Sequence, residues 1–135
     1  MSLESNKECV LNFYSTAFIE KDPEKALQEY IGHYYRQHNP VVPDGKEAFV
    51  EYAKMRIKQN PNRKIEFKKV IAEGDYVVLH LHHIVSEGDE DSNFAPYGTA
   101  GVDIFRLENG RIVEHWDVLQ VVPDPLESAN NNTMF

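Results

Sequence analysis

Two carboxylates and an imidazole lie close together near the end of the chain, where polar and apolar residues alternate. Asp103 and Phe105 precede an Asn-Gly pair, and His115 and Asp117 follow it. Successive side chains of a β-strand point to opposite faces, so the members of each pair share one face of their strand. An Asn-Gly pair is typical of a tight hairpin turn, which would place the two strands side by side. The pattern therefore predicts a cluster of these four side chains.

Such a cluster could transfer protons. A carboxylic acid among apolar side chains and beside a second carboxylate has a raised pKa. It can then act as a general base, or as a neutral hydrogen-bond donor, near neutral pH. Alternation alone leaves the buried face open, because both faces of these strands carry apolar residues. In the alternative interpretation Asp103 and Arg106 are exposed partners, and Ile104 and Trp116 form the buried face.

The elements that would position this hairpin follow from hydrophobic periodicity. Helical spacing predicts a first helix over residues 3 to about 20, a short one that begins at Asp22-Pro23, and a third from about residue 44 to Gln59. Residues 33–40 are expected to be extended or irregular. From Lys64 the period falls to about two, which predicts strands over residues 64–73, 76–86, 97–107 and 111–121. An acidic, solvated surface loop is expected at residues 87–93.

Three helices followed by a four-stranded meander predict one α+β domain over residues 1–135, with the helices packed on one face of an antiparallel sheet. The formal net charge of −8 argues against a nucleic-acid partner, because phosphate binding needs a basic face. No apolar run approaches the roughly 20 residues that cross a bilayer. The lone Cys9 cannot form an internal disulfide, and no secretory signal is visible. A cytoplasmic protein is therefore expected.

A cluster of histidines in the second predicted strand allows a rival interpretation as a metal site. His80 and His82 share a strand face, and Glu87 follows at a spacing similar to the first cupin motif. The later glycine and the second motif are missing, and the long helical region does not suit a jelly roll. The acidic loop likewise lacks the spacing of an EF-hand. The sequence thus favours a site without metal.

The residues around the predicted hairpin also resemble a known family. The run DIFRLENGRIVEHWDVLQVVP, residues 103–123, resembles the C-terminal signature of the SnoaL-like polyketide cyclases. These proteins belong to the nuclear-transport-factor-2-like superfamily, together with the ketosteroid isomerases and scytalone dehydratase. The segments YYRQHNP, residues 34–40, and GKEAF, residues 45–49, are similar to that family as well. The resemblance covers nearly the whole chain.

The resemblance implies a strongly curved sheet, shaped as a cone-like barrel with a central pocket, and an inward orientation of the hairpin site. It implies that Asp103 or Asp117 acts as acid or base on an enolisable carbonyl compound, without metal or cofactor. His115 would orient that carboxylate or share its proton. Asp103 matches the protonated donor of the ketosteroid isomerases, and Tyr14 would correspond to their oxyanion-hole tyrosine.

The remaining candidates are binding residues and partners. His38 and His80 are expected to contact substrate, while Tyr34, Phe105 and Leu119 would shape an apolar wall. The resemblance also implies a homodimer, for which the outer sheet face with Ile104, Trp116 and Val118 could supply the contact. A non-catalytic protein of the same fold, which binds a small ligand or a partner, is the alternative to an enzyme.

Overall fold

Three helices precede most of the sheet in the chain and pack on its inner face. In a computed structural model, which describes residues 2–135, the helices are α1 (Leu3–Tyr14), α2 (Pro23–Tyr30) and α3 (Lys46–Gln59). The strands are β1 (Ile31–Gln37), β2 (Lys64–Glu73), β3 (Tyr76–Ile84), β4 (Thr99–Glu108) and β5 (Arg111–Val121). They form one curved sheet in the order β1-β5-β4-β3-β2. The predicted α+β class is confirmed.

The sheet is mixed and has five strands, which corrects the prediction of four antiparallel ones. Residues 31–37, of which 33–37 were expected to be irregular or extended, form β1 and pair in parallel with β5. Gln37 pairs with His115, which lies 78 positions further along the chain. A register irregularity interrupts this pairing between Ile31 and Arg36. The strand therefore shows little local alternation, and it depends on a distant partner for its hydrogen bonds.

The helix boundaries follow local signals closely, with one exception. Asp22 caps α2, and its side chain accepts a hydrogen bond from the Lys25 N–H at 3.1 Å, as the Asp-Pro signal predicts. The first helix does not run to residue 20 as one α-helix. It ends at Tyr14 and continues as a five-residue π-helical turn, Ser15–Ile19. Such turns are frequent at functional sites, and this one carries Phe18 beside a cavity described below.

The hairpin between β4 and β5 contains a β-bulge that changes which residues face inward. Asn109 and Gly110 both have positive φ, 51° and 77°, as a two-residue hairpin turn requires. Leu107 pairs with Ile112, but Arg106 pairs with Glu114, so Val113 is the extra residue. The bulge puts Ile112 on the inner face with Leu107, whereas strict alternation along β5 would have put it on the outer face with Glu114 and Trp116. Beyond the bulge the predicted alternation holds.

The hydrophobic core lies between the helices and the inner face of the sheet. Val77, Leu79 and Leu81 of β3 are fully buried there, as period-two alternation requires. The Phe13 ring from α1 lies 5.2 Å from the ring of Phe49 and 5.8 Å from that of Phe105. These aromatic contacts join two helices to β4, and they form the floor on which the functional site is built.

The acidic segment between β3 and β4 is not the solvated loop that the sequence predicts. It folds in part into a 3₁₀ helix, Glu90–Asn93, and both Asp89 and Asp91 are buried. The Asp89 carboxylate accepts backbone N–H groups of Asn62 and Ser86 at 2.8 and 2.9 Å. Asp91 forms an ion pair with Arg56 of α3. The segment is therefore anchored to the loop that follows α3, because these contacts compensate for burying its charges.

Candidate active site

A cavity of about 260 Å³ lies between the helices and the inner face of the sheet. Its walls are mainly aromatic, and they are formed by Phe13, Tyr14, Phe18, Tyr35, Phe49 and Phe105. Polar side chains gather on the β1–β5–β4 side, where Gln37, Asn39, Asp103, His115 and Asp117 reach the cavity. A mainly apolar cavity with a few convergent polar groups is typical of a small-molecule site.

Asp103 and His115 form a buried pair in this cavity. The hairpin register places His115 opposite Phe105 and Asp103 opposite Asp117, so all four residues share the inner face. Asp103 Oδ1 lies 2.8 Å from His115 Nε2. Only 2 % of Asp103 and 7 % of His115 are exposed. The pair is thus shielded from bulk water, which strengthens its interaction.

Gln37 determines which nitrogen of His115 carries a hydrogen. Gln37 Oε1 accepts the backbone N–H of Asn39 at 3.0 Å, so this atom is the amide oxygen. The same oxygen lies 2.7 Å from His115 Nδ1, which must therefore donate. Nε2 then either carries a second hydrogen and faces a carboxylate, or accepts one from a neutral Asp103. In both cases a single proton lies between Asp103 and His115.

Asp117 completes the cluster, and one of its oxygens is available to a ligand. Asn39 Nδ2 donates to Asp117 Oδ1 at 2.9 Å, while Oδ2 lies 3.9 Å from His115 Nε2. Burial raises the pKa of Asp117 above its ordinary value, and the nearby Asp103 raises it further. His115 and the hydrogen bond from Asn39 oppose this shift without reversing it. Asp117 is therefore a stronger base than a solvated aspartate.

The same three residues are the candidates for holding a metal ion. One ligand atom from each of Asp103, His115 and Asp117 lies within 4.8 Å of the other two. Carboxylate and imidazole together suit several divalent ions. Coordination through His115 Nε2 would replace its hydrogen bond with Asp103 Oδ1, whereas Asp103 Oδ2 is buried without a hydrogen-bond partner among residues 2–135. That the protein works without metal stays a prediction.

Tyr14 and His83 form a second polar group in the cavity wall. Tyr14 Oη lies 3.5 Å from His83 Nε2. Burial, followed by the charges of Asp103 and, to a smaller extent, Asp117, raises the pKa of Tyr14 well above its ordinary value. Tyr14 therefore stays a neutral phenol that can donate a hydrogen bond to a ligand oxygen.

His83 is a neutral imidazole. Burial lowers its pKa to about 3, and the charges of Arg63 and Arg56 add to this effect. Its Nδ1 is buried without a hydrogen-bond partner among residues 2–135. His83 is not among the predicted site residues, although it has the same parity as the buried Val77, Leu79 and Leu81. Extending that alternation by one step would have placed it on the inner face.

Three predicted binding residues lie outside the cavity. His80 has the opposite parity to the buried residues of β3 and faces outward, where its ring lies 5.4 Å from that of Phe135. His82 shares this outer face, and its Nε2 lies 3.0 Å from the Tyr97 carbonyl oxygen. Within residues 2–135, His80, His82 and Glu87 do not form a cluster that could bind a metal. His80 is therefore not among the residues that line the cavity.

Tyr34 and His38 belong to a polar network on the outer side of the sheet. Tyr34 Oη donates to Glu108 Oε1 at 2.7 Å and accepts from Arg106 Nη2 at 2.8 Å. His38 stacks on Trp116 with 4.6 Å between ring centroids. Both residues alternate with inward-facing neighbours in or next to β1, and that strand was not predicted. Of the other candidates, Phe105, Leu119 and Tyr14 do line the cavity.

Comparisons with known proteins agree with this fold. The family model of the SnoaL-like polyketide cyclases matches residues 8–123. TsrD from Streptomyces laurentii is 23 % identical, with a TM-score of 0.70 over 88 % of this chain and 90 % of that one. A provisionally named polyketide cyclase from Acidithiobacillus ferrooxidans is 23 % identical, with a TM-score of 0.72 over 88 % and 91 %. No curated protein matches the sequence significantly.

A third solved structure also has this fold. An NTF2-like protein of unknown function from Mesorhizobium loti is 24 % identical, with a TM-score of 0.65 over 87 % of this chain and 93 % of that one. At such identities these structures establish the fold and not the reaction.

Within residues 2–135, no helix has both the length and the apolar character needed to span a membrane. A cytoplasmic location stays a prediction.

Proposed function

The chain belongs to the SnoaL-like polyketide cyclase family, and on that premise we propose that it is an enzyme of cofactor-independent proton transfer. Its substrate would be a small carbonyl compound, and the reaction an aldol-type cyclisation or an isomerisation. One observation carries the proposal. Asp103, His115 and Asp117 converge, largely buried, on one wall of a cavity whose other walls are mainly aromatic. Titratable groups in such surroundings are typical of acid–base catalysis.

Asp117 is the candidate base. Its Oδ1 is anchored by Asn39, its Oδ2 is free to take up a proton, and its raised pKa makes it a better base than a solvated carboxylate. Removal of a hydrogen from the carbon next to a carbonyl moves an electron pair onto the carbonyl oxygen and forms an enolate. In a cyclisation the enolate carbon then attacks a second carbonyl of the same molecule, whose oxygen takes a proton.

Two hydrogen-bond donors, Tyr14 and the Asp103–His115 pair, could stabilise the carbonyl oxygen of the substrate, which becomes negatively charged when the enolate forms. Tyr14 is a neutral phenol at the cavity wall. Asp103 and His115 share a proton, and His115 Nε2 lies 3.9 Å from Asp117 Oδ2. Donors that are already in place in a water-poor cavity stabilise a developing oxyanion more than water does. Asp103 would thus keep His115 oriented and supplied with a proton while Asp117 reacts with the ligand.

Deuterium uptake from D₂O into 2-tetralone and related bicyclic β-keto esters would test the proposal directly, with NMR as the readout. We expect the wild-type protein to accelerate uptake at the carbon next to the carbonyl. Asp117→Asn should slow this by about 10²- to 10⁴-fold, the usual contribution of a general base. Asp75→Asn, which removes a carboxylate from the exposed β2–β3 turn, should behave as wild type.

Two outcomes of the exchange experiment would contradict the proposal. A folded wild-type protein that binds these ketones without accelerating exchange would favour the alternative, a non-catalytic ligand-binding protein of the same fold. Wild-type rates in Asp117→Asn would remove Asp117 from the role of base.

We further propose that the outer face of the sheet forms the contact of a homodimer. This face carries exposed apolar side chains, among them Val118 at 75 % and Ile71 at 56 % exposure. With Ile104, Val78 and Trp116 they line an open concavity. A contiguous apolar patch of this kind is unusual on a monomer, and a two-fold contact would cover it.

Val118→Glu is expected to convert the dimer to a monomer at micromolar concentration, since it would bury two carboxylates at one interface. Analytical ultracentrifugation measures the change. Leu3→Glu places the same charge at an exposed apolar residue of α1, on the helical side, and should leave the dimer intact. A monomeric wild-type protein would contradict the proposal.

A further inference from the structure

Arg63 brings a positive charge to the cavity and forms no ion pair of its own, although Asp91, the partner of Arg56, lines the same cavity and acts on Arg63 from a greater distance. It lies between α3 and β2, and its guanidinium group is 5.3 Å from the centre of the Phe18 ring, which also lines the cavity. No carboxylate of residues 2–135 lies within 4.0 Å of this group. Burial lowers the pKa of Arg63 below its ordinary value, as expected for a charge that is partly withdrawn from water.

The loop that carries Arg63 is held in place from several sides. Asn60 Oδ1 accepts the backbone N–H of Asp91 at 2.9 Å, and the Asn62 N–H donates to Asp89 at 2.8 Å. The Arg63 N–H itself donates to the Asn60 carbonyl at 3.2 Å. The guanidinium group is therefore placed at the cavity by a fixed backbone, although it makes no ion pair of its own.

The neighbouring Arg56, unlike Arg63, has protein partners for its guanidinium group. Its guanidinium group pairs with Asp91 and donates to Gln59 Oε1 at 2.7 Å. Arg56 thus serves to hold the 3₁₀ helix against α3. The contrast leaves Arg63 as the cation of this end of the cavity that can pair with a ligand.

The charge of Arg63 and the acid–base cluster lie at different ends of the cavity. Arg63 directly precedes β2, whose first residue pairs with Ile84 at the end of β3. His83 at that end is paired with Thr99, the first residue of β4. Asp103 lies four residues further along β4, or about 13 Å at the rise of an extended strand. An elongated molecule could reach both groups across the aromatic walls.

We infer that the substrate carries a carboxylate group, which Arg63 binds at the end of the cavity away from Asp103 and Asp117. The inference rests on the proposed function in calling the bound molecule a substrate. The planar fork of a guanidinium group matches a carboxylate with two parallel hydrogen bonds. A phosphate dianion would need a second free cation, and Arg56 is already paired with Asp91. A planar aromatic acid with an enolisable carbonyl group at its other end fits this arrangement.

The negative charge of the protein makes the binding of a carboxylate ligand depend on Arg63. The chain has a formal net charge of −8, and two carboxylates line the far end of the cavity. A carboxylate ligand is repelled by both unless a local cation compensates. Binding of an acid in preference to its neutral amide would therefore depend on one residue.

The test compares 1-hydroxy-2-naphthoate with 1-hydroxy-2-naphthamide, two bicyclic probes of nearly the same shape, by isothermal titration calorimetry. We expect the wild-type protein to bind the acid at least tenfold more tightly, in line with hydrogen bonds to a charged group. Arg63→Gln should bind both probes equally, and Arg63→Lys should keep part of the preference. Lys64→Gln removes the same charge from an exposed neighbouring residue and should keep all of it.

Each result decides the inference. Equal binding of the two probes to wild type, no binding of the acid at millimolar concentration, or an unchanged preference in Arg63→Gln would overturn it. The wild-type comparison needs no variant, so it remains decisive if Arg63→Gln fails to fold. Because Asp117→Asn should keep the preference while losing proton exchange, failure of the proposed catalysis and failure of carboxylate binding are separable.

Discussion

Asp103→Asn is expected to lower catalysed deuterium exchange by about 10²- to 10⁴-fold while the protein stays folded. Asparagine has nearly the same shape as aspartate, and its amide can donate to His115 Nε2 across the contact that is now 2.8 Å. Gln37 would still hold Nδ1–H in place, so packing around His115 should not change. What the substitution removes is the proton between the two residues, and with it the supply of a proton to the oxyanion.

A pH profile separates this role from a merely structural one. The carboxylate of Asp103 contributes to the raised pKa of Asp117. Asp103→Asn removes this contribution together with the larger, opposing effect of a charged His115, so the pKa of Asp117 should not fall and the acidic limb of the residual activity should stay in place or move to higher pH. Circular dichroism and thermal unfolding check the fold, and Asp75→Asn is again the matched control. Activity close to that of wild type in folded Asp103→Asn would contradict the assigned role.

His83 is expected to make the protein sensitive to mild acid. Its pKa is about 3 in the folded protein and about 6.5 when the chain is unfolded. Between these values the unfolded state binds the extra proton, so the stabilisation is complete above about pH 6.5 and is lost as the pH falls toward 3. At about pH 5 the loss from this one residue is about 2 kcal/mol.

Urea unfolding at about pH 7 and about pH 5 measures this effect. In His83→Gln the drop in the free energy of unfolding between the two pH values should be about 2 kcal/mol smaller than in wild type, because glutamine does not titrate. His33→Gln, at an exposed position of β1, should keep the wild-type drop. The other histidines contribute equally to the change in the free energy of unfolding in each protein, so their contribution cancels when the proteins are compared. Identical drops in all three proteins would show that His83 is not buried as a neutral group.

Much of the fold is encoded locally and can be predicted from the sequence. The Asp-Pro signal predicts the start of α2, and the bounds predicted for β2 and β5 agree with the structure. Alternation beyond the Asn-Gly turn puts Asp103, His115 and Asp117 on one face. The resemblance to the SnoaL-like family, which the family model confirms, supported the inward orientation where periodicity left two faces open.

Other features depend on partners that are distant in the chain. β1 exists because β5 supplies its hydrogen bonds, and without β1 neither Gln37 nor Asn39 could be linked to the cluster of Asp103, His115 and Asp117. The bulge at Val113 depends on how two strands register, and it reverses the face of Ile112. The sequence predicts that Asp89 and Asp91 are exposed surface charges. In the structure both are buried, because Asn62 donates a hydrogen bond to Asp89 and Arg56 forms an ion pair with Asp91.

The cluster itself shows where local information ends. That Asp103, His115 and Asp117 share a face follows from a period of two, a property of each strand alone. That a single proton lies between Asp103 and His115 follows from Gln37, which the fold brings from 78 positions away. Side-chain direction is set by the local backbone, whereas protonation and burial are set by whatever the tertiary structure packs against each group.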